Sequence, residues 1–311
     1  MTILGPVRTI GRYRLDAVRG SGAFATVWQG FDTELDVPVA VKVLAENWAH
    51  HADVRERFLA EARLLRRVES DRVVRVHDMG VHDGQPFFVM DLAEGGTLAG
   101  RADGTLEPVV ALRLAAEAAR AVAVLHEAGV VHRDVKPANF LLRGDGDAER
   151  VVVADLGSSK RLSEASGITV TTGTPSFMAP EQALGQGVDA RCDVYALGVL
   201  AYVLLVGELP FDVRDPYSLV TRTETDRPPR LRPERLPRRV DPATLDGVLA
   251  KATALDPDRR FDGADDLADA LEHVADGGRA RHGERHVAPA LVWSAAAGLF
   301  GVGAGAAWRF L

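Results

Sequence analysis

Alternating apolar and polar positions in the first third of the chain predict five strands and one long helix. Strands are expected over 13–18, 26–31, 37–44, 73–81 and 86–92, where β-branched and aromatic residues are frequent. Between the third and fourth strands, residues 53–68 repeat with a helical period that places Phe58, Ala62 and Leu65 on one side. We therefore expect a small β-rich lobe with one main helix.

After Glu94-Gly95-Gly96 the pattern becomes mainly helical. A short buried strand is expected at 151–154, and the arginine- and proline-rich run 227–239 is expected to be an exposed loop. The periodicity predicts helices over 107–127, 189–206, 242–254 and 264–274. The two patterns together predict an α+β chain with a β-rich N-lobe and a mainly α-helical C-lobe.

The composition is that of a folded, moderately acidic protein. The chain has 311 residues, of which 47% are hydrophobic and 26% charged, and its net charge is −7. This length can bury one large core or two lobes. The negative charge argues against general nucleic-acid binding, so we expect no nucleic-acid partner. The single cysteine, Cys192, excludes an internal disulfide and is expected to be a small buried hydrophobic residue.

The run from His132 to Leu142 combines residue types that suit chemistry on a phosphate. Asp134 can orient a hydroxyl group and accept its proton, Lys136 can neutralise charge on a transferring phosphoryl group, and Asn139 can hold a metal ion. Only four of the 37 Lys and Arg residues are lysines. Because arginine does not replace a compact ammonium charge, a lysine kept here indicates a specific role.

Two features of the predicted N-lobe are suited to bind phosphate. Gly20 and Gly22 lie in the sequence Gly-Ser-Gly-Ala-Phe-Ala, where backbone N–H groups can approach a phosphate closely. Such a loop alone also fits an ordinary hairpin turn. Lys42 lies on the third predicted strand, with its side chain opposite to those of its neighbours. It needs a carboxylate to orient it, for which Glu61 is the first candidate and Glu56 the alternative.

Three carboxylates from Asp155 onward complete the set of candidate residues for a phosphate-binding site and its support. Asp155 follows a short apolar run, and together with Asn139 it offers two metal ligands from adjacent turns. Glu181 is expected to be a structural carboxylate that pairs with Arg260. Asp193 is expected to cap the backbone of the phosphate-handling run, without touching substrate.

In their order and spacing these motifs resemble those of protein kinases, and in particular the eukaryotic-like serine/threonine kinases of bacteria. The resemblance extends from about Gly11 to Asp276. It rests on the glycine loop, Val39-Ala40-Val41-Lys42, His132-Arg133-Asp134-Val135-Lys136-Pro137-Ala138-Asn139, Asp155-Leu156-Gly157 and Ala179-Pro180-Glu181. It implies an N-lobe over about 11–93 and a C-lobe over about 94–276. ATP and Mg²⁺ (or Mn²⁺) would lie between the lobes, and the substrates would be serine or threonine hydroxyls of proteins.

The resemblance also implies catalytic roles. Asp134 would be the base, Lys136 the contact to the γ-phosphate, and Asn139 and Asp155 the ligands of the metal ion. Lys136 is typical of the serine/threonine branch, and Leu156 conservatively replaces the commoner phenylalanine. No motif position carries a change that predicts an inactive enzyme. A nucleotide-binding scaffold without catalysis and a small-molecule phosphotransferase of the same fold stay open as alternatives.

For the nucleotide, the resemblance implies that Lys42 contacts the α- and β-phosphates and pairs with Glu61. Phe24 would cover the phosphates, Val27 would pack on the base, and Met90 would be the gatekeeper. The complete set, ending with two backbone contacts to adenine, is Gly20, Ser21, Gly22, Ala23, Phe24, Ala25, Val27, Ala40, Lys42, Met90, Asp91 and Ala93. An alanine stands in place of the family's third glycine, which is a mild departure.

A phosphate-dependent switch is expected beside the catalytic run. Arg133 is interpreted as a buried positive charge that pairs with a phosphate group added to the segment after Asp155. The candidates are Thr169, Thr171 and Thr172, and the resemblance ranks the first two highest, as sites of autophosphorylation. Thr174 is expected to contact the catalytic aspartate. The alternative is that these threonines are solvated loop residues.

Beyond residue 276 the composition becomes that of a membrane anchor. Residues 277–286 form a polar, basic linker, and 287–308 carry no charge, a length that matches the roughly 17–25 residues of a transmembrane helix. Trp293 and Trp308 lie towards its ends. More arginines precede this segment than follow it, so a single-pass anchor in the cell membrane with a cytoplasmic kinase domain is expected. An apolar helix packed on the catalytic domain is the alternative.

Two further features concern partners. Gly301 and Gly305 form a small-residue motif that would let two transmembrane helices pack closely, which would give a homodimer. The arginine- and proline-rich loop 227–239 is expected to be a solvated connection. Docking of an acidic substrate or of lipid on this loop is the alternative.

Overall fold

The computed structural model describes residues 8–144, 149–156, 175–213, 215–223 and 225–278. The predicted transmembrane segment, the threonines from 169 to 174 and nearly all of the predicted linker lie outside the described residues. Within the part that is described, no helix is both long and apolar enough to cross a membrane. The described chain forms a β-rich N-lobe and a mainly helical C-lobe, as the hydrophobic pattern predicts.

The N-lobe is built on one antiparallel sheet of six strands in the order β1-β2-β3-β4-β6-β5. Five of them correspond to the predicted strands, whereas β1 has only three residues and is too short to show a pattern. The strands are β1 Arg8–Ile10, β2 Tyr13–Ser21, β3 Ala25–Asp32, β4 Val37–Leu44, β5 Val76–His82 and β6 Gln85–Met90.

The central strand β4 separates two groups of buried side chains. Val39, Val41 and Val43 pack on one face of the sheet, together with aromatic residues of β2 and β6. Ala40 and Leu44 belong to the larger core on the other face, which contains the main N-lobe helix. The alternation follows from the period of two along a strand. The same alternation places the side chain of Lys42 on the face of the sheet that packs against the helix.

One strand begins later than predicted because its first residues pair elsewhere. Residues 73–81 are predicted as a single strand, but β5 starts at Val76. The N–H of Val74 donates to the carbonyl of Val153 (2.9 Å), and the N–H of Val153 donates to the carbonyl of Arg72 (3.0 Å). These residues therefore bind a strand of the C-lobe, which joins the two lobes directly.

The described residues of the two lobes contain eight α-helices. The five longest agree with the predictions to within about two residues, whereas α1, α4 and α6 span a single turn, which is too short to show a helical period. The helices are α1 Glu46–Ala49, α2 Ala52–Arg67, α3 Pro108–Glu127, α4 Pro180–Ala183, α5 Arg191–Val206, α6 Pro216–Val220, α7 Pro242–Ala252 and α8 Ala264–Ala275.

The C-lobe core surrounds α5, which is buried from Cys192 to Leu205. The alanine-rich α3 packs against α5 and α8, because small side chains let helices approach closely. Glu107 starts α3 by accepting hydrogen bonds from the N–H groups of Val109 (2.9 Å) and Val110 (3.1 Å). Cys192 is completely buried, so the prediction of a small buried hydrophobic residue is confirmed. Burial raises the pKa of its thiol.

A two-stranded hairpin carries the residues between the lobes. Strand β7 Phe140–Arg143 pairs antiparallel with β8 Arg150–Val153, and Phe140 lies opposite Val153. The predicted short strand at 151–154 is therefore confirmed, with a partner strand that the apolar run after Asn139 supplies. The loop 227–239 is exposed along most of its length, as predicted, and contains one short 3₁₀ turn at Pro233–Arg235.

Candidate active site

A lysine and two carboxylates meet between the lobes. Lys42 extends from the helix side of β4, and its Nζ donates to Oε1 of Glu61 on α2 (3.0 Å) and to Oδ2 of Asp155 (3.1 Å). The side chains of Lys42 and Glu61 are almost completely buried, at 8% and 2% exposure. One ammonium group thus connects the central strand, the N-lobe helix and the segment after β8.

These charges stabilise one another. Burial alone would lower the pKa of Lys42, but the carboxylates of Asp155 and Glu61 raise it above its ordinary value. Burial would raise the pKa of Asp155, but the ammonium of Lys42 lowers it to about 2. Both groups therefore carry their charge at neutral pH, which suits a site that binds phosphate oxygens and a cation.

The geometry decides between the two candidate partners of Lys42. Glu56 lies on the outer side of α2, where it accepts a hydrogen bond from Arg63 (2.6 Å) and is 68% exposed. Glu61 lies five residues further along the helix and faces the sheet. A helix turns by about 100° per residue, so only one of these two carboxylates can point inward.

The segment from Lys136 to Asn139 is folded around Asp134. Lys136 Nζ donates to Oδ2 of Asp134 (2.7 Å), and Asn139 Nδ2 donates to the carbonyl oxygen (2.7 Å) and to Oδ2 (3.2 Å) of the same residue. A short 3₁₀ turn, Pro137–Asn139, brings the amide back over the aspartate. The carboxylate is thereby held in one orientation, with positive charge beside it.

Asp193 supports this segment from below, as predicted. Its carboxylate accepts hydrogen bonds from the N–H groups of His132 and Arg133, both at 2.8 Å. Burial would raise the pKa of Asp193, but its bonds to His126 and to this backbone keep it below its ordinary value. The His126 contact (2.9 Å) comes from the last turn of α3 and was not predicted, since no local motif marks that histidine.

The side chain of Arg133 is exposed, so the expectation that it is a buried charge is wrong. Its φ of 67° lies in the left-handed region, because the two N–H groups at this point both turn towards Asp193. That backbone turn directs the side chain outward, while the carbonyl of Arg133 accepts a hydrogen bond from Gln182 (3.1 Å).

Asn139 and Asp155 are brought together by the β7–β8 hairpin. The N–H of Ala154 donates to the carbonyl of Asn139 (3.0 Å), so the backbone that leads into Asp155 runs beside Asn139. Because Nδ2 of Asn139 is bound to Asp134, its amide oxygen faces away from that aspartate. A carboxylate and an amide oxygen are ligands that Mg²⁺ accepts, usually with waters and phosphates. No cluster of three or more His, Cys, Asp or Glu suited to a metal occurs among the described residues.

The glycine loop is shorter than the sequence suggests. Gly20 and Ser21 belong to β2, and the turn is closed by the N–H of Gly22, which donates to the carbonyl of Ala25 (2.9 Å). Phe24 is 3% exposed, and its ring packs on that of Trp48 with 4.9 Å between centroids, within the N-lobe core. Coverage of the phosphates by Phe24 stays a prediction.

The predicted nucleotide-base residues lie on neighbouring strands. Val27 is opposite Lys42 across β3 and β4, and Ala40 is opposite Met90 across β4 and β6. Met90 ends β6 and is almost completely buried. These registers place the side chains that would contact a base beside the lysine that would contact phosphates, and Ala93 follows in the connection between the lobes.

Asp91 has a structural role that the sequence did not indicate. Its carboxylate binds Arg143 (2.6 Å) and His77 (2.6 Å), and its N–H donates to the carbonyl of Arg75 (3.1 Å). Burial would raise the pKa of Asp91, but these two side chains lower it. The connection after Met90 is therefore fastened to β5 and to β7 of the C-lobe. None of the motifs predicts these contacts.

A second buried ion pair lies away from the lysine, in the C-lobe. Arg260 donates to both carboxylate oxygens of Glu181, at 2.6 Å and 2.8 Å. It also donates to three backbone carbonyls, those of Ala254, Arg191 and Leu255. The predicted pairing is confirmed. It anchors the start of α4 to the segment before α8.

The two-lobed fold, with a lysine–glutamate pair in one lobe and the Asp134 segment in the other, is that of the protein kinases. The chain belongs to this family: the protein kinase domain model matches residues 13–270.

Among its relatives, the serine/threonine-protein kinase PknL of Mycobacterium tuberculosis is 37% identical over 273 residues, which cover 85% of this chain and 66% of PknL. PksC of Streptomyces coelicolor is 33% identical, over 85% of this chain and 49% of PksC. The chain therefore spans less than two thirds of the length of these relatives. The crystal structure of the kinase domain of Mycobacterium tuberculosis PknI has a TM-score of 0.66 and 30% identity, covering 87% of this chain and 99% of that domain.

Proposed function

We propose that this chain is a serine/threonine protein kinase that transfers the γ-phosphoryl group of ATP to protein hydroxyls. The observation that carries the proposal is the complete pair of charge clusters, with Lys42 held by Glu61 and Asp155, and Asp134 held by Lys136 and Asn139. Names and similarity of the bacterial relatives support serine and threonine as acceptors.

The first cluster is suited to bind the nucleotide. Lys42 would neutralise charge on the α- and β-phosphates, and the backbone of Gly20 and Gly22 can approach phosphate oxygens. Asn139 and Asp155 would hold Mg²⁺ or Mn²⁺, and the ion would supply positive charge to the phosphates. Adenine would lie among the apolar side chains Val27, Ala40 and Met90, with backbone contacts from Asp91 and Ala93.

The second cluster is suited to activate the acceptor. The carboxylate of Asp134 would orient the substrate hydroxyl and accept its proton while the hydroxyl oxygen bonds to the γ-phosphorus. The bond from that phosphorus to the bridging oxygen breaks, and ADP leaves. Lys136, 2.7 Å from Asp134, would neutralise charge on the transferring group. The intact clusters weigh against a scaffold without catalysis.

Activation by autophosphorylation belongs to the same proposal. Arg133 is exposed beside Asp134, so its guanidinium is accessible to a phosphate group on the segment that contains Thr169 and Thr171. Charge-assisted hydrogen bonds to that phosphate would order the substrate site.

Incubation of the full chain with labelled ATP, Mg²⁺ and a general protein substrate tests the proposal. We expect phosphoserine or phosphothreonine on the substrate and label on the chain itself at Thr169 or Thr171, mapped by mass spectrometry. A double Thr169→Ala, Thr171→Ala variant, treated with phosphatase, should show lower activity. Nucleotide binding without any transfer would support the scaffold alternative. Transfer to a small-molecule alcohol but not to protein would support the alternative of a small-molecule phosphotransferase.

We also propose that residues 287–308 anchor the kinase in the cell membrane, with the catalytic domain in the cytoplasm. The support comes from the sequence: this segment has no charged residue, and arginines precede it. Gly301 and Gly305 would let two anchors pack as a homodimer.

The anchor is tested by flotation of the full chain with neutral phosphatidylcholine vesicles at high salt. Wild type should float, and Leu299→Arg should reduce insertion because a charge at the centre of a span costs about 2.5–3.5 kcal/mol. Leu35→Arg is the matched control, since Leu35 is already 65% exposed in the N-lobe. Wild type that stays in the soluble fraction would contradict the anchor.

A further inference from the structure

The loop 227–239, called here the arginine loop, is a strongly basic surface segment of an acidic protein. It carries six arginines and one acidic residue, Glu234, whereas the net charge of the chain is −7. The structure exposes all six arginine side chains: Arg227, Arg230, Arg232, Arg235, Arg238 and Arg239. Four prolines in the same loop restrict its backbone, so this charge is held on a stiff segment.

These arginines are not neutralised by their surroundings. None of the six forms an ion pair with another described residue, whereas surface arginines elsewhere do, such as Arg101 with Glu149 (3.0 Å). The carboxylate that faces the loop from α7 is Asp246, which accepts a hydrogen bond from the N–H of Leu231 (3.5 Å) and interacts with Arg230. Asp246 and Glu234 offset only part of the charge of the six arginines, so the loop stays strongly positive.

The arginine loop lies alongside α7, and its last residue lies beside Gly277, near the end of the described chain. Leu231 lies beside Asp246 in the middle of α7, and α7 is about 16 Å long. At the other end, a β-carbon built on Gly277 would lie only 3.1 Å from the carbonyl oxygen of Arg239, so the two backbones are in contact. The φ of Gly277 is 84°, and the chain turns there after α8.

This position ties the loop to the proposed anchor. Only the residues from 279 to 286 separate the end of the described chain from the uncharged segment that starts at Val287. Eight extended residues reach at most about 28 Å, so in an anchored chain the last described residue lies within about that distance of Val287.

We propose that the arginine loop binds the anionic headgroups of the inner membrane surface and so orients the anchored kinase domain. This inference rests on the proposed anchor. Each arginine close to an anionic bilayer strengthens association by about fivefold, and guanidinium groups bind phosphate and carboxylate oxygens in a bidentate manner. Six exposed arginines in one stiff segment give a surface whose charge matches this ligand, and Arg239 contacts Gly277, ten residues before the proposed anchor begins.

The test measures the distance of the loop from the bilayer in the full chain. A fluorophore is attached at Glu234→Cys, because native Cys192 is completely buried and does not compete for the label. The protein is reconstituted in phosphatidylcholine vesicles with a headgroup quencher, with or without phosphatidylserine. We expect stronger quenching with phosphatidylserine, relieved at about 0.5 M NaCl, where the Debye length is about 4 Å.

A charge variant and a matched control give the decisive comparison. Removal of three charges should weaken loop association on the order of 100-fold and abolish the extra quenching. The variant combines Arg235→Gln, Arg238→Gln and Arg239→Gln. The control combines three exposed arginines of the N-lobe, Arg8→Gln, Arg66→Gln and Arg67→Gln, and should quench like wild type.

Two results would overturn the proposal: equal quenching in neutral and anionic vesicles, or a loop variant that quenches like wild type. If polyglutamate relieves the quenching and phosphatidylserine does not change it, the ligand of the loop is an acidic protein instead. Failure of the anchor is distinguishable, because wild type would then not float with neutral vesicles. Salt-sensitive flotation with anionic vesicles, lost in the loop variant, would support the loop in that case too.

Discussion

Asp134→Asn should lower the rate of phosphoryl transfer by about 10²–10⁴-fold, while ATP binding stays unchanged. The asparagine has the same size, and its amide oxygen can still accept the hydrogen bond that Lys136 donates at 2.7 Å. It cannot accept a proton from the substrate hydroxyl, so only the chemical step is affected. The measurement is the initial rate with labelled ATP at saturating protein substrate, together with the dissociation constant of ATP.

Asp83→Asn is the matched control for this prediction. Asp83 has a 91% exposed side chain in the β5–β6 turn, and its positive φ of 48° is one that asparagine also accepts. The same chemical change there should leave the rate unchanged. A rate of Asp134→Asn within about threefold of wild type would contradict the role of this carboxylate as the base, since proton transfer to a positioned side chain contributes far more than that.

Arg260→Met should destabilise the fold by about 3–5 kcal/mol, which is a large part of the stability of a typical domain. The arginine side chain is completely buried, and Glu181 is 8% exposed. Its removal leaves the carboxylate of Glu181 buried without its cation, together with three carbonyls that lose their donor. Urea unfolding followed by circular dichroism should show the shift in midpoint.

Arg63→Met provides a direct comparison. The Arg63–Glu56 pair has the same nitrogen–oxygen distance of 2.6 Å, but its side chains are 49% and 68% exposed. Water solvates both charges, so its loss should cost no more than about 1 kcal/mol. A double variant, Arg260→Met with Glu181→Leu, should recover stability, because a buried charge is no longer left alone. Equal effects of Arg260→Met and Arg63→Met would contradict the argument from burial.

The regular elements could be predicted because burial leaves a periodic trace in the sequence. The β4 strand alternates between two cores, and α2 places Phe58, Ala62 and Leu65 on one face. The elements that were missed, β1, β7 and the single-turn helices, have only three to five residues, which is too short to show a period. The start of β5 was misplaced because Val74 pairs with the C-lobe, and such a long-range contact leaves no local pattern.

The pairing of Glu181 with Arg260 and the cap from Asp193 were predicted from the places of these residues in the motif series, and both contacts are confirmed. The expectation that Arg133 is a buried charge was wrong, because its side chain is exposed. The direction of that side chain depends on a backbone turn. The turn is set by the hydrogen bonds of the His132 and Arg133 N–H groups to Asp193, 61 and 60 positions away in the sequence.

The sequence by itself determined the lobes, the order of the motifs and the residue types that handle phosphate, because periodicity and local chemistry are written along the chain. The choice of Glu61 over Glu56, the joining of Lys42 to Asp155 and the orientation of Asp134 were decided only by the tertiary structure. Residues 42 and 155 are 113 positions apart, and folding brings Nζ and Oδ2 to 3.1 Å. Such contacts form only when the core fixes both backbones, so tertiary packing determines the site's geometry.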